Sequence, residues 1–552
     1  MMKKYKLLLL SVSFALVGSL ASCAKWLEVP IEGQSTSDEV FVESDGFRSA
    51  LNGLYKEMAE PKLYGKELSF AFVDFLSNQY RVLGQDFKND LYKAVAYHDY
   101  QYSGVIPLID DIWLQAYKTI AASNDLIANV ERADVSLFPG GRMEKDLILG
   151  EAKAVRAYLH FDILRLFAPA PIHDDGNAYV PFVDRFPEIN ARRMPVREVL
   201  TRIITEMEEA RELVKAYDTT NLGYSSVGSG DARFHNQLLY GTEGYGKEAS
   251  LDAFYLGRGY RMSYHAITAL LARIYMYNLS FDEASIEKAM AYADEVINFN
   301  FMSLNGDKIS PFLNENFSFR DPNAFGPGSG MIDPENLQDV RMLSTLIFGV
   351  YSKHQYRDAN IEGHFPREQS SFTGGSMLVV DYEQQKFFYK ANEAENEANE
   401  DYRFTNLMYL PKGGYNTYLS SKWYPHLSEN VRDKTITIIP IIRTSELRYI
   451  LSEGYARKRD YTKAYEILNE MRGKRGLPYE KALPVQSDLD SFLKDFVREN
   501  QREWISEGQL FYLYKRLDTK FGILDKETNS YVVRALTPSE ASLPLPVVPL
   551  QQ

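Results

Sequence analysis

Cysteine is all but missing from this chain: 552 residues contain one, Cys23. A lone thiol forms no internal disulfide and no cysteine-based zinc site. Histidine is sparse as well. None of the eight lies three or four residues from another, so there is no helical metal-binding pair and no HExxH. A G-x-S-x-G nucleophile elbow and a P-loop are also absent. The glycines of "GTEGYG" have the wrong arrangement for a dinucleotide loop, and the oxygen-rich "HDDGNAY" at 173–179 lacks EF-hand spacing and reads as a loop. Basic residues are outnumbered, 62 against 75 acidic, for a net charge of −13. A chain of that sign has nothing with which to release counterions from a phosphate backbone, which argues against a nucleic-acid partner. Past the N-terminus no apolar run is long enough to span a bilayer, which takes about 20 residues. No residue is assigned to catalysis, to a metal or to a cofactor.

What is present begins at the N-terminus. Lys3, Lys4 and Lys6 precede the uncharged run Leu7 to Leu20, the pattern of a signal peptide over residues 1–22. Leu20-Ala21-Ser22-Cys23 resembles the bacterial lipobox, in which the cysteine is lipidated and becomes the first residue. Cys23 is therefore expected to carry a lipid anchor, and Ala24 after it favours the outer membrane.

Helical periodicity dominates the rest. Phe47, Leu51, Leu54 and Met58 predict a helix capped by Ser44 or Asp45. A second covers 105–130 through Ile112, Trp113, Ala116, Ile120, Leu126, Ile127 and Val130. In "GEAKAVRAYLHFDILRLFAPAP", Ala152, Val155, Leu159, Ile163 and Leu166 form a stripe, with Glu151, Arg156 and Arg165 largely off it, and Pro169 and Pro171 stop the helix. Later helices carry Leu270, Leu271, Ile274 and Tyr275, then Ile286, Ala289, Met290, Ala293, Val296 and Ile297. Leu451, Tyr455, Tyr461, Ala464 and Leu468 have the ring-and-small-residue spacing of a tetratricopeptide pair. These read as scattered helix–turn–helix units rather than a continuous solenoid. Between them lie a Tyr/Gly/Ser-rich stretch at 217–260 and a loop-rich region at 300–440 with strand-like runs "STLIFGVYS", "SMLVVDY" and "KTITIIPII". The acidic "NEAENEANED" at 392–401 reads as a solvated loop or helix face.

Several of these segments, in order, resemble the SusD/RagB family of outer-membrane lipoproteins of the Bacteroidetes. They are "CAKWLEVP", "DGFRSALNGLY", "IWLQAYKTIAASNDLI", "GEAKAVRAYLHFDILRLFAPAP", "PIIRTSELRYILSEG", "AYEILNEMRGKRGLP" and "ENQREWISEGQLFYLYKR". The departures are "LDTKFG" after Arg516, the tail "LPLPVVPLQQ", and the length of the 217–260 insertion. The resemblance implies a mainly α fold in which four tetratricopeptide-like helix pairs support a large irregular loop and short-strand region. It divides the chain into the signal peptide 1–22, an N-terminal helical region 23–216, the insertion 217–260 and a C-terminal region 261–552, the last three in one compact mature domain. It also implies capture of an oligosaccharide, or in some members a peptide, on the extracellular side of the outer membrane, for uptake by a TonB-dependent transporter of the SusC type. Trp113, Trp504 and Arg156 sit in its helix motifs and are expected to pack rather than bind ligand.

A sugar presents an apolar C–H face and a rim of hydroxyls, which suits aromatic rings on loops beside polar groups. The first such cluster is Tyr80, Arg81, Tyr97, His98, Tyr100 and Tyr102, which in starch-binding relatives corresponds to part of the glycan platform; the Tyr100/Tyr102 alternation also suits a half-buried strand. The second is Trp423 and Tyr424, with His426 beside them; Tyr240, Tyr245 and Tyr255 form a weaker third. Two other readings stay open: a lipid-anchored glycoside hydrolase, which needs only two carboxylates about 5–9 Å apart, and a peptide-binding lipoprotein on the same scaffold.

Overall fold

The computed structural model describes residues 40–84, 87–188, 191–228, 230–235, 252–302, 306–312, 333–336, 339–369, 375–380, 397–414 and 417–546. Cys23, Tyr240 and Tyr245 lie outside them. The predicted stripes become helices close to where they were expected. Helix α1 is Ser44–Met58, begun by Glu43 one residue before the expected cap. Helix α2 is Val105–Arg132 and α3 is Gly141–Phe167, which ends two residues before Pro169. Helix α4 is Val196–Asp218, followed by α5 (Tyr264–Asn278) and α6 (Ser285–Ile297). Helices α7 (Thr444–Arg457), α8 (Tyr461–Lys474), α9 (Leu489–Glu503) and α10 (Leu510–Leu517) complete the set used here.

The units that look scattered in sequence are contiguous in space. Each helix from α1 to α6 packs on the next, α1 lies on α3 as well as α2, and α8 and α9 close the row on α7. The contacts of α4 with α5 and of α6 with α7 bridge the long non-helical stretches. Each unit is apolar on two faces and buries the second only against another unit. The intervening chain is thereby pushed to the outside of the row.

Helix α3 lies in the middle of this row and is buried on nearly every side, the charged positions off its apolar stripe included, and Arg156 packs as expected. Glu151, Arg156 and Arg165 are all buried. Burial of a charge is tolerated where a partner and hydrogen bonds satisfy it. Arg156 donates to Glu206 Oε1 of α4 (2.7 Å) and to Asn124 Oδ1 of α2 (2.6 Å). Arg165 pairs with Asp162 and stacks 3.7 Å above the Tyr512 ring. Glu151 accepts from Tyr55 Oη at 2.7 Å and from Arg258. Gly150 explains how close α3 and α4 come. A Cβ there would stand 2.7 Å from Val214 Cγ1 and 2.9 Å from the Ala210 carbonyl.

Two strand-like runs pair: β1 (Leu346–Tyr351) lies antiparallel to β2 (Ile438–Arg443), with Tyr351 opposite Ile438. The run "KTITIIPII" is strand only in its second half, because Glu429–Thr435 is helical. Of "SMLVVDY", Val380 forms an isolated bridge with Tyr80. A C-terminal hairpin joins β3 (Phe521–Asp525) to β4 (Ser530–Arg534). Trp113 and Trp504 are core residues as expected, 3% and 4% exposed.

The described end of the acidic run is solvated only in part: Asn399 and Glu400 are exposed, but Glu397 and Asp401 are drawn inward. Asp401 is fully buried and holds Arg403 (Oδ2 to Nη2, 2.6 Å), which also reaches Glu499 of α9 at 2.7 Å. Glu397 takes Arg472 of α8 and Arg502 of α9 at 2.6 Å each. Arg475 closes the set on Glu503. These four arginines and four acids tie the loop region to the α8–α9 end of the row.

Candidate ligand-binding site

A groove of about 870 Å³ opens between α1, the segment 253–261 and the stretch after β1. Small-molecule sites typically occupy roughly 300–1,000 Å³. Its construction starts at Gly257, in the left-handed region at φ 63°, where a Cβ would approach the His235 carbonyl to 2.8 Å. That turn sends Arg258 inward and leaves Tyr260 and Arg261 facing the groove. Arg258 is 1% exposed and grips Asp218 at the end of α4 (Nε to Oδ1, 2.8 Å; Nη2 to Oδ2, 2.9 Å) as well as Glu151 of α3. Asp218 also accepts the Tyr264 backbone N–H at 2.8 Å. Both ends of the 217–260 stretch are thus core, whatever lies between.

Arg261 donates to Asn52 Oδ1 of α1 at 2.7 Å and lies 5.2 Å above the Tyr55 ring. Tyr55 forms part of the floor, held by its bond to Glu151 and by the Met262 N–H at 2.8 Å. The opposite wall is Tyr351, at the end of β1, with Ser352, Lys353, His354 and Asp358. Tyr351 and Tyr260 meet edge to face at 5.8 Å, and Tyr260 Oη is tied to the Phe234 carbonyl at 2.9 Å. The buried Gln355 donates to the Gly65 carbonyl and fixes this wall to the chain beyond α1.

One residue stands out on α1. Gly53 lies in the helix interior, where glycine costs about 1 kcal/mol relative to alanine. A Cβ there would meet nothing within 4 Å, and the position lines the groove. The helix packing does not require a glycine at this position; its effect is to keep the groove wide.

The rings expected from the sequence lie elsewhere, and most are inside. Tyr80 and Trp423 do come together, but in the core. Tyr80 Oη lies 2.9 Å from Ser506 Oγ and 2.8 Å from the Phe70 carbonyl, and Trp423 Nε1 donates to the Ser506 carbonyl at 2.9 Å. Trp423 is 0% exposed, packed against Phe70 and under the Arg341 guanidinium at 3.9 Å. Neither ring offers a face to a sugar. Tyr424 is also buried, its hydroxyl spent on Glu335 at 3.0 Å, and His426 beside it is 2% exposed. His98 is buried with its ring bonded to the Leu76 carbonyl, and burial depresses its pKa to about 4. Tyr100 is not in a strand: it packs under the C-terminal tail, donating to the Glu540 carbonyl at 2.6 Å. Tyr255, of the weaker third cluster, stacks on Tyr217 at 4.9 Å.

Three of the eight keep an accessible surface. Tyr97 is half-buried and donates to Asn529 of the C-terminal hairpin, and Tyr102 is 39% exposed. Arg81 follows Tyr80 in an extended segment whose N–H donates to the Val379 carbonyl at 2.8 Å; strand alternation sends Tyr80 in and Arg81 out. Its half-buried guanidinium has no partner among the described residues.

The groove residues Asn52, Tyr260, Arg261, Tyr351 and His354 were not among the candidates from sequence. Gly53, a glycine inside a strong amphipathic helix, was the signal available.

The comparisons with known proteins bear on the fold and on the N-terminal half of this site. Residues 25–222 match the SusD-like family model described as "starch-binding associating with outer membrane". Over these residues the chain is similar to the SusD-like family. Among solved structures, a SusD superfamily protein of Bacteroides thetaiotaomicron VPI-5482 superposes with a TM-score of 0.61 at 19% identity, covering 92% of this chain and 97% of that one. A SusD superfamily protein of Bacteroides fragilis gives 0.59 at 16%, covering 93% and 98%. A SusD-like carbohydrate binding protein of Bacteroides vulgatus ATCC 8482 gives 0.58 at 16%, covering 90% of each. Among curated proteins none matches. At these identities the structures speak for the fold, which is SusD-like over nine-tenths or more of the chain. No described helix of this SusD-like chain is long and apolar enough to cross a membrane.

Proposed function

We propose that this chain is a surface-exposed outer-membrane lipoprotein, anchored through Cys23, that captures an oligosaccharide and hands it to a SusC-like TonB-dependent transporter. The observation that carries the binding reading is the α1 groove, with two fixed tyrosine rings beside hydroxyl, amide and imidazole groups and with Gly53 keeping it wide. Rings supply stacking surface for C–H faces, and the polar groups supply contacts for hydroxyls. The family description as starch-binding at the outer membrane supports the same reading. We read the role as binding rather than catalysis. The groove's carboxylates are Glu60 and Asp358, and Asp358 is held by Arg357 at 2.8 Å. Release of the Cys23→Ser protein from membranes checks the anchor.

The decisive variant is Gly53→Trp, tested against a panel of plant, host and microbial glycans with products followed by chromatography. The indole fills the groove from a position that no neighbour crowds, and it replaces a poor helix former. Binding should fall at least about tenfold, roughly 1.4 kcal/mol, with the melting temperature unchanged or raised. A second reading rests on the unpartnered Arg81 guanidinium, with Tyr97 and Tyr102 along the same stretch. If Arg81→Ala abolishes binding and Gly53→Trp leaves it intact, the ligand sits at that edge. Hydrolysed products would make the protein a glycosidase. Retention of peptides and of no glycan would overturn the oligosaccharide reading.

A further inference from the structure

The groove carries more free positive charge than negative, in a chain whose net charge is −13. Lys56 lies in the last turn of α1 and Lys353 just after β1; both line the groove and are exposed. Among the described residues neither ammonium has an ion-pair or hydrogen-bond partner. Other charges lining the groove are already engaged. Arg261 is bonded to Asn52 and lies 3.7 Å from Glu151, and Asp358 is bonded to Arg357. Glu60 is the one acid lining the groove left to oppose the two lysines, and His235 and His354 add ring nitrogens. A lysine in the last turn of α1 also favours the helix dipole, but Lys353 has no such role. Two free cations from two different elements of the groove, which a pair of tyrosine rings also lines, match a ligand that is both sugar-like and anionic. Lysine serves as an adaptable point charge for carboxylate or sulfate oxygens.

We infer that the groove takes an acidic oligosaccharide, its carboxylate or sulfate groups reaching Lys56 and Lys353 while its sugar faces lie on Tyr260 and Tyr351. This rests on the groove being the glycan site. The charge pattern also acts before contact, because a basic groove on an acidic protein concentrates the anionic chain at its own mouth.

The test is calorimetric titration of the purified protein with four probes: an oligogalacturonate, its methyl ester, a chondroitin sulfate oligosaccharide and maltoheptaose. An acidic probe should bind at least about tenfold more tightly than the ester and maltoheptaose, and the first and third probes separate carboxylate from sulfate. Lys56→Ala and Lys353→Ala should each weaken it about fivefold, the upper range for an exposed ion pair, at unchanged melting temperature. About 1 M salt, where the Debye length is near 3 Å, should remove most of the preference in the wild type and change little in the double variant. Equal binding of acid and ester, with Gly53→Trp still blocking both, overturns the acidic class and leaves the groove as the site. Tight binding of the acidic probe that neither lysine variant nor Gly53→Trp weakens overturns both readings.

Discussion

Replacing Arg403 by methionine will lower the free energy of unfolding by about 3–5 kcal/mol, the usual cost of removing one partner from a buried ion pair. The guanidinium is 1% exposed and is shared between Asp401 and Glu499, which are themselves 0% and 1% exposed. Without it, Asp401 loses its principal cation, while Glu499 keeps Arg472 and Arg502. The loss will also be felt at a distance, because Asp401 precedes the loop segment that this network fastens to α8 and α9. Urea denaturation checks it, with Lys62→Met as control. The Lys62–Asp111 pair is about half exposed on both sides and should contribute no more than about 1 kcal/mol. If Arg403→Met unfolds at the same urea concentration as wild type, the network does not hold the loop region to the helix row.

The second large effect is acid sensitivity. His160 and His265 are buried, and desolvation lowers both pKa values to about 3; His98 and His364 are lowered to about 4 in the same way. In the unfolded chain each titrates near 6.5. Below that pH the unfolded state takes up protons that the folded state refuses, so stability falls as pH drops. The loss is about 1.4 kcal/mol per histidine for each pH unit until the folded pKa is reached. Carboxylates add to the same trend at lower pH. Burial works against ionisation of Glu453 and Glu503, but Arg516 and Arg457 outweigh it for the first and Arg475 and Arg403 for the second, leaving both near 2. Their contribution is complete above the unfolded carboxylate pKa and is lost as pH falls toward 2. The melting temperature should therefore decline as pH falls below about 6.5 and drop steeply below about 4.5. His265→Phe should soften the first decline. Its ring sits among Phe299 at 4.4 Å and Phe312 at 5.2 Å, and neither nitrogen has a hydrogen-bond partner among the described residues. A melting temperature unchanged between pH 7 and 5 would show that these histidines are not buried in the neutral form.

The helix row was legible in the sequence because a helix reports its buried face every three or four residues. Ile112, Trp113, Ala116 and Ile120 show that face plainly, and Pro169 marks where α3 stops. What the pattern could not reveal was a helix buried on all sides. The charges Glu151 and Arg156 find their partners Arg258 and Glu206 in other parts of the chain, and Arg165 finds Asp162 one turn away on the same helix, so the stripe alone does not show that the whole helix is enclosed. The aromatic loops misled for a related reason. A large non-helical region needs a core of its own, and Trp423 and Tyr80 furnish it, meeting at Ser506 from positions more than 300 residues apart. The groove has no period to detect. It exists only where α1, the turn at Gly257 and the end of β1 converge, and each alone reads as ordinary structure.

The clasp that Arg258 makes with Asp218 has a consequence for how such a protein can change. Forty residues separate the two, yet both ends of that excursion are locked into the helix row. The entropy of closing a loop grows only slowly with its length, so a change of length between the two anchors costs the scaffold little as long as it spares Arg233, which is 1% exposed and donates to the carbonyls of Val227, Pro311 and Leu346. That same excursion supplies His235, Ala253, Leu256 and Gly257 to the groove. One wall of the groove is thus pinned to the frame at Asp218–Arg258 and again at Arg233, and variation that spares those pins can reshape the wall without loosening the helix row.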